Sequence, residues 1–560
     1  MSIARSSCLV GVVALFAVSA VACGGQDKVA RLPSSEATRE SEPRGQSAQD
    51  VARDARVSKS AALSSQPGAP PPPQPGYVTP SPTTVAPIAK PAEETPGTEH
   101  YKDYGVNPLV ETQKDRFSTF SIDVDTASYA ISRRKINEGT LPPFASVRAE
   151  EFLNSFDYGY EAPSARDAVP FKVHMTAAPS PFTKDHHLLR VGVQAKRLSA
   201  EERMPVHLVY LVDVSGSMQP ADRLPLAKRS LKMLTDTLGP RDTVALVTYA
   251  GDVRVVLNPT GTENKAGILK AIDSLGAGGG TSMGSGVQLA YDLAAKTLVK
   301  GHVNRVVVLS DGDANIGNTS HDQVLKSIAQ YKDKGITLST VGFGSGNYKD
   351  TMMEQLADKG DGNYTYIDSE DQARKVFGEE VDSLLQVVAR DVKIQLELDP
   401  NVVRRYRLMG YENRDIADKD FRNDKVDAGE VGSGHAVTAL YDVELIRTDA
   451  SPVTLRLRHK PANNTLNGGS DGATESVFKM STKDILPSFE QAPDNFRFAS
   501  AVTGFAEILR HSPSAHEWRL ADMERIAASA TANRQERLEL VSLVKKAERL
   551  SGGSVVGLAR

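Results

Sequence analysis

The sequence predicts an α/β fold: a doubly wound, mostly parallel sheet inserted in or flanked by a β domain, with a disordered N-terminal tether and a small helical C-terminal unit. Three observations predict it. From Met204 to about Val388, strand-like apolar runs alternate with helix-like periodicity, the pattern of repeated βα units. On both sides of that stretch, alternating strands occur without helices between them. From Gln26 to about Thr98 the chain is rich in Ser, Ala, Pro and charge, and such a segment cannot bury enough apolar surface to offset its ordering entropy.

The chain has 560 residues, 40% of them apolar and 24% charged, so about two to four folded units are expected. A net charge of −4 offers no broad positive field for a phosphate backbone, which argues against nucleic acid as a partner. The two cysteines, Cys8 and Cys23, both lie near the start. No disulfide framework is expected in the mature chain.

Arg5 supplies a positive start, Leu9 to Ala22 forms an apolar run too short to span a bilayer, and small residues lead into Cys23. A signal segment is expected over 1–22. Ala20-Val21-Ala22-Cys23-Gly24 resembles the lipobox of bacterial lipoproteins, although most members carry leucine where Ala20 stands. The resemblance implies lipidation of Cys23, and Gly24 in place of aspartate implies outer-membrane sorting, with the periplasmic or the surface face left open. Ordinary cleavage, leaving Cys23 as an exported thiol, is the alternative. Residues 23–98, with Pro70 to Pro73 in a row, are expected to form the tether.

Strands are expected at Val206 to Val212, Thr243 to Tyr249, Val253 to Leu257, Val303 to Leu309, Ile336 to Phe343 and Asn363 to Ile367. Several are nearly continuous apolar runs, as for strands covered on both faces. Leu224, Ala227, Leu231, Leu234 and Leu238 recur at helical spacing before Gly239-Pro240. Further helices are expected at Lys265 to Leu275, Ser285 to Leu298, Ser320 to Lys334, Lys349 to Lys359 and Ser369 to Val388. The flanking strands are Phe171 to Thr176, Leu188 to Gln194, Val392 to Leu398, Val437 to Leu445 and Val453 to His459, read as sheets with one wet face. They suggest one β domain interrupted by the α/β domain, with two separate β pieces as the alternative. In the tail, Phe498, Val502, Phe505 and Leu509 share one helical face and Leu538, Val541, Val544 and Leu550 another. The expected partition is 1–22, 23–98, 99–203, 204–388, 389–480 and 481–560.

Asp213-Val214-Ser215-Gly216-Ser217 follows the first strand of the α/β unit and places an aspartate and two hydroxyls at alternate positions of a turn. Gly278-Gly279-Gly280-Thr281 brings a further hydroxyl, and Asp311 follows the strand ending in Leu309-Ser310. Oxygen-only donors suit hard cations, and Mg²⁺ takes about six of them. Ser215 and Ser217 are expected to ligate directly, and Thr281, Asp213 and Asp311 directly or through water. One position then stays open for a partner's oxygen.

These residues, in this order at strand ends, resemble the metal-ion-dependent adhesion site of von Willebrand A domains. The resemblance implies one divalent cation, Mg²⁺ first, with Mn²⁺ or Ca²⁺ left open. Phe117 to Tyr129, Leu141-Pro142-Pro143 and Val147 to Glu151 resemble the N-terminal segment of a bacterial family of A-domain lipoproteins, and Asn495 to Arg549 its C-terminal domain of unassigned function.

Other patterns are weaker. Asp123, Asp125 and Ser128 echo the metal motif without a glycine turn. Asp311, Asp313, Asn315 and Gly317 resemble a calcium loop, but Ile316 and Asp322 stand where an EF-hand needs glycine and glutamate. His186-His187 read as a solvated loop without further zinc ligands. Ser215-Gly216-Ser217 is no nucleophile elbow, and the glycine run at 276–280 is no P-loop. The expected function is binding in the cell envelope, with a protein partner supplying a carboxylate to the metal and the lipid supplying the membrane anchor. Catalysis is not expected. A structural or assembly role, or a metal-dependent hydrolase, is the alternative.

Overall fold

The computed structural model describes residues 99–552 except 100, 123–124, 165, 313–320, 346–349, 427 and 463–471. The expected signal segment, Cys23 and the tether lie outside the described residues, as do Asp123, Asp313, Asn315 and Gly317.

Ten of the strands build two antiparallel layers. They are β1 (Val110–Glu111), β2 (Phe117–Ser121), β3 (Phe171–Pro179), β4 (His187–Ala195), β11 (Val387–Leu398), β12 (Val403–Met409), β13 (Glu430–Gly432), β14 (Ala436–Leu445), β15 (Val453–Pro461) and β16 (Thr474–Lys479). One layer runs β1-β12-β14-β4-β3; the other runs β13-β11-β15-β16, with β2 also paired to β11. Each layer thus joins strands from before the α/β unit to strands from after it. Leu189, Val191, Val437 and Tyr441 from one layer and Phe120, Ile394, Leu396 and Leu455 from the other share one core.

The intervening sheet has the order β10-β9-β8-β5-β6-β7, where β5 is Val206–Asp213, β6 Thr243–Tyr249, β7 Val253–Gly261, β8 Val303–Ser310, β9 Ile336–Phe343 and β10 Tyr364–Ile367. All pairings are parallel except that of the edge strand β7. Every residue of β5 is buried, which accounts for its apolar run from Leu208 to Val212. Helices α3 (Leu224–Thr237) and α4 (Lys265–Asp273) pack on one face, and α5 (Met283–Lys296), α6 (His321–Lys332) and α7 (Asp350–Lys359) on the other. The chain passes in and out of this unit at one place: Met204 N donates to Gln386 Oε1, and Gln386 Nε2 donates to Met204 O, both at 2.9 Å.

The C-terminal helices α10 (Asp494–Leu509), α11 (Leu520–Ala528) and α12 (Gln535–Gly552) do not pack by themselves. Their core includes Tyr129 and Ile136 of α1 (Ala127–Asn137) and Phe152 and Leu153 of α2 (Ala149–Asn154). The opposite side of α1, through Ala127, Ala130 and Ile131, lies against the α/β sheet. One short helix thereby serves two cores.

Several expectations are corrected. The helix expected at Ser369 to Val388 is three pieces, α8 (Glu370–Arg374), a π turn over Lys375–Glu379 and α9 (Val381–Leu385). Val387 and Val388 instead open β11, where Val387 pairs with Gly432; a pairing so distant in sequence overrides local periodicity. β11 has no wet face over its middle: Lys393 and Gln395 are buried, the first donating to Asn423 O at 2.7 Å and the second to Thr119 Oγ1 at 2.9 Å. His187 begins β4, and His186 Nδ1 lies 2.6 Å from Asp442 Oδ1, so the pair is not a solvated loop. Leu538 is exposed; the inward face of α12 is formed by Leu540, Leu543, Val544 and Ala547.

Candidate metal centre

β5 lies between β6 and β8, and the chain goes first to one side and later returns on the other. The carboxyl ends of β5 and β8 therefore flank the point where strand order reverses, the place where open α/β sheets bind ligands. Asp213 is the last residue of β5 and Asp311 immediately follows β8. Both are buried.

The backbone turns sharply after Asp213. Ser215 N donates to Asp213 Oδ1 at 2.8 Å, and a 3-10 turn over Gly216–Met218 follows. The turn brings the Ser215 and Ser217 hydroxyls within 2.9 Å of each other. Ser310 Oγ, from the end of β8, donates to Asp213 Oδ2 at 3.2 Å. The glycine loop then crosses this turn: Gly278 N donates to Val214 O at 2.8 Å, and Gly216 N donates to Gly279 O at 3.0 Å. Gly279 has φ +85°, and a Cβ there would lie 3.3 Å from Gly251 N, so the dihedral favours glycine and the turn after β6 leaves little room for a side chain. Thr281 is half-buried just beyond, ahead of α5.

The structure thus joins Asp213, Ser215 and Ser217 directly and sets Asp311 at the neighbouring strand end. Thr281 sits on the loop that crosses them. Burial pushes the Asp213 carboxyl up to about 6, against the hydrogen bonds from Ser215, and the charge of Asp311 pushes the same way. Two desolvated carboxylates among neutral hydroxyls form a donor set short of positive charge, and its oxygen-only chemistry fits a hard divalent cation.

Arg223 is a site residue that sequence reading misses. Its Nη1 donates to Asp311 Oδ2 at 2.6 Å and to Ser217 O at 2.7 Å, and its Nη2 donates to Ser345 O. It stands at the cap of α3, outside the apolar repeat, and no motif marks it.

A second carboxylate cluster is distinct. Oxygens of Asp125, Glu151 and Glu354 all lie within 4.8 Å of one another. Arginines serve this cluster: Arg414 donates to Asp125 Oδ2 at 2.8 Å and to Glu354 Oε1 at 3.3 Å, and Arg148 reaches Glu151 and, at 2.7 Å, Asp350 Oδ2. Burial pushes Glu151 up to about 7, with Arg148 opposing. The residues come from the N-terminal segment, α7 and the loop after β12, so this is an ion-pair network between parts of the fold.

A parallel sheet with three oxygen-bearing loops at the switch point is the arrangement of a von Willebrand A domain. The model for the von Willebrand factor type A domain matches residues 207–379, a von Willebrand factor model matches 95–190, and the model for the C-terminal part of uncharacterized protein YfbK matches 383–550. Uncharacterized protein YfbK of Escherichia coli (strain K12) is 37% identical over 473 residues, 81% of this chain and 82% of that protein. The chain belongs to the YfbK family of A-domain proteins. Uncharacterized protein sll0103 of Synechocystis is 29% identical over 212 residues, 38% of this chain and 49% of that one. Among solved structures, von Willebrand factor type A from Catenulispora acidiphila is 17% identical, covers 66% of this chain and 89% of its own, and has a TM-score of 0.40. A domains as a class commonly bind a divalent metal and serve metal-dependent protein interaction.

Proposed function

We propose that this protein is a lipid-anchored binding protein of the bacterial cell envelope that captures a carboxylate-bearing protein partner through one divalent cation. The observation that carries the reading is the meeting of the Asp213 turn, the glycine loop and Asp311 at the switch point of the sheet. Ser215 and Ser217 would hold the ion directly, with Asp213, Thr281 and Asp311 holding it directly or through water. When bound, the ion supplies a Lewis-acidic open position that an outside carboxylate can fill. No catalytic step is assigned, because every group offered at the site is a ligating oxygen or the guanidinium of Arg223. Mg²⁺ is the first choice of ion.

The anchor is the acylated Cys23, in the outer membrane, with residues 23–98 as the spacer. Among the described residues no helix is long and apolar enough to cross a membrane. Capture of envelope proteins by wild type and Asp213→Ala, each with and without EDTA, tests the reading. Capture indifferent to both would transfer the function to another surface and leave the metal a structural role. Cys23→Ser tests the anchor; the variant should lose lipid labelling and leave the membrane fraction.

A further inference from the structure

We infer that Arg223 is a built-in competitor of the divalent cation: it holds the Asp311 carboxylate when no ion is bound, and ion loading exchanges one cation for the other. The inference rests on the metal-site reading above and concerns how that site is regulated.

Asp311 is only 3% exposed. A carboxylate so placed is costly unless something positive compensates it. The Arg223 guanidinium does so at 2.6 Å, and the same Nη1 also takes Ser217 O at 2.7 Å. One nitrogen therefore links the Asp311 carboxylate to the backbone of the serine loop, between two of the groups proposed to hold the ion.

The arginine is also held from behind. Its Nη2 donates to Ser345 O, and Gly344 has φ +78°, with any Cβ there falling 2.4 Å from Arg223 Nε. Gly344 O in turn accepts from Arg134 Nη1 of α1 at 3.2 Å and from the Tyr366 hydroxyl of β10. The guanidinium is thus pre-placed by a loop fixed to the N-terminal segment, and is not a surface side chain that drifts over the site. A divalent ion and a guanidinium cannot share one carboxylate at close range without repulsion. Arg223 therefore lowers the affinity of the site and keeps Asp311 satisfied until an ion arrives.

The test is calorimetric titration of Mg²⁺ and of Mn²⁺ into the full chain, for wild type, Arg223→Ala, Arg223→Gln, Arg223→Lys and Asp213→Ala. Melting temperature in EDTA is measured on each. Arg223→Ala and Arg223→Gln should bind the ions more tightly, on the order of tenfold. Arg223→Lys, which keeps the charge, should stay within about threefold of wild type. In EDTA the Ala and Gln variants should melt lower than wild type, and added ion should raise their melting temperature further than it raises that of wild type. Unchanged or weaker binding by both Ala and Gln, with Asp213→Ala weakening binding about a hundredfold, would make Arg223 a strut and overturn this inference while the metal site stands. Equal ion binding by wild type and Asp213→Ala would remove the metal site itself, and the inference with it. Should the Ala variant fail to fold, the Gln and Lys pair decides, since the two differ in charge at similar bulk.

Discussion

The carboxylate clusters around Asp213 and around Asp125 are both buried and both rich in oxygen, yet they are built differently. Around Asp213 and Asp311 most other donors are neutral hydroxyls on loops at strand ends, and Arg223 provides the positive charge. Around Asp125, Glu151, Asp350 and Glu354 two arginines are shared among carboxylates from separate parts of the chain, with Tyr364 and Asn413 donating as well. The difference teaches how a candidate cation site is told from a seam. A cluster already threaded by arginines has its charge partners in the sequence; one ringed by hydroxyls at a topological switch point has one guanidinium for two carboxylates, which suits the proposed cation.

Removing Arg414 puts the seam under the greatest strain. Arg414→Ala leaves Asp125 and Glu354 short of a partner, so urea denaturation should show a loss of about 3–5 kcal/mol, with no recovery on adding Mg²⁺. Recovery with Mg²⁺ would erase the distinction between the clusters. Next in size, Asp213→Ala should weaken Mg²⁺ binding about a hundredfold, roughly 2.7 kcal/mol, while the stability measured in EDTA changes far less than in Arg414→Ala.

The seam should also respond to pH. Burial lifts the folded-state value of Glu151 to about 7, above the roughly 4.3 of an exposed glutamate. Its protonated form therefore stabilises the fold fully below the unfolded value, and that contribution is lost as pH rises through about 7. Compared with Glu151→Gln, the wild type should gain on the order of 2 kcal/mol between pH 8 and pH 4.5, read from urea midpoints at each pH. A flat difference would mean that Arg148 keeps Glu151 ionised throughout. Smallest of all, Ser217→Ala removes a neutral ligand that water can replace, and Mg²⁺ affinity should fall only about tenfold, which the same calorimetry would measure.

The α/β domain was legible because β5 and β8 are buried on both faces and so are apolar along most of their length, as in Leu208 to Val212 and Val306 to Leu309. The turn holding Asp213, Ser215 and Ser217 was legible because its residues are adjacent in sequence. What escaped was set by partners far along the chain. Arg223 meets Asp311 and Ser345, and nothing near it in sequence announces either. Lys393 looks like a solvent residue until the loop at Asn423 covers it. Leu538 fits an apolar repeat, but the helices it would need to touch lie on the other side of α12. Asp125 read as an echo of the metal motif, and only the arrival of Arg414 from the far side of the α/β unit shows its role.

The paired hydrogen bonds between Met204 and Gln386 make the whole A domain, from the viewpoint of the surrounding sandwich, a single closed loop. Closing a long flexible loop adds only about 0.6 kcal/mol for each doubling of its length, so the sandwich tolerates an insertion of this size at small entropic cost. While the insert is folded, its two ends are held together by this buried amide and by the Arg203–Asp382 ion pair at 3.3 Å, and the sandwich strands on either side are delivered already in reach of one another. Host and guest then lend each other stability through this glutamine as well as through α1 and the Arg148 and Arg414 ion pairs, and melting either should be felt as a broader, earlier transition in its neighbour.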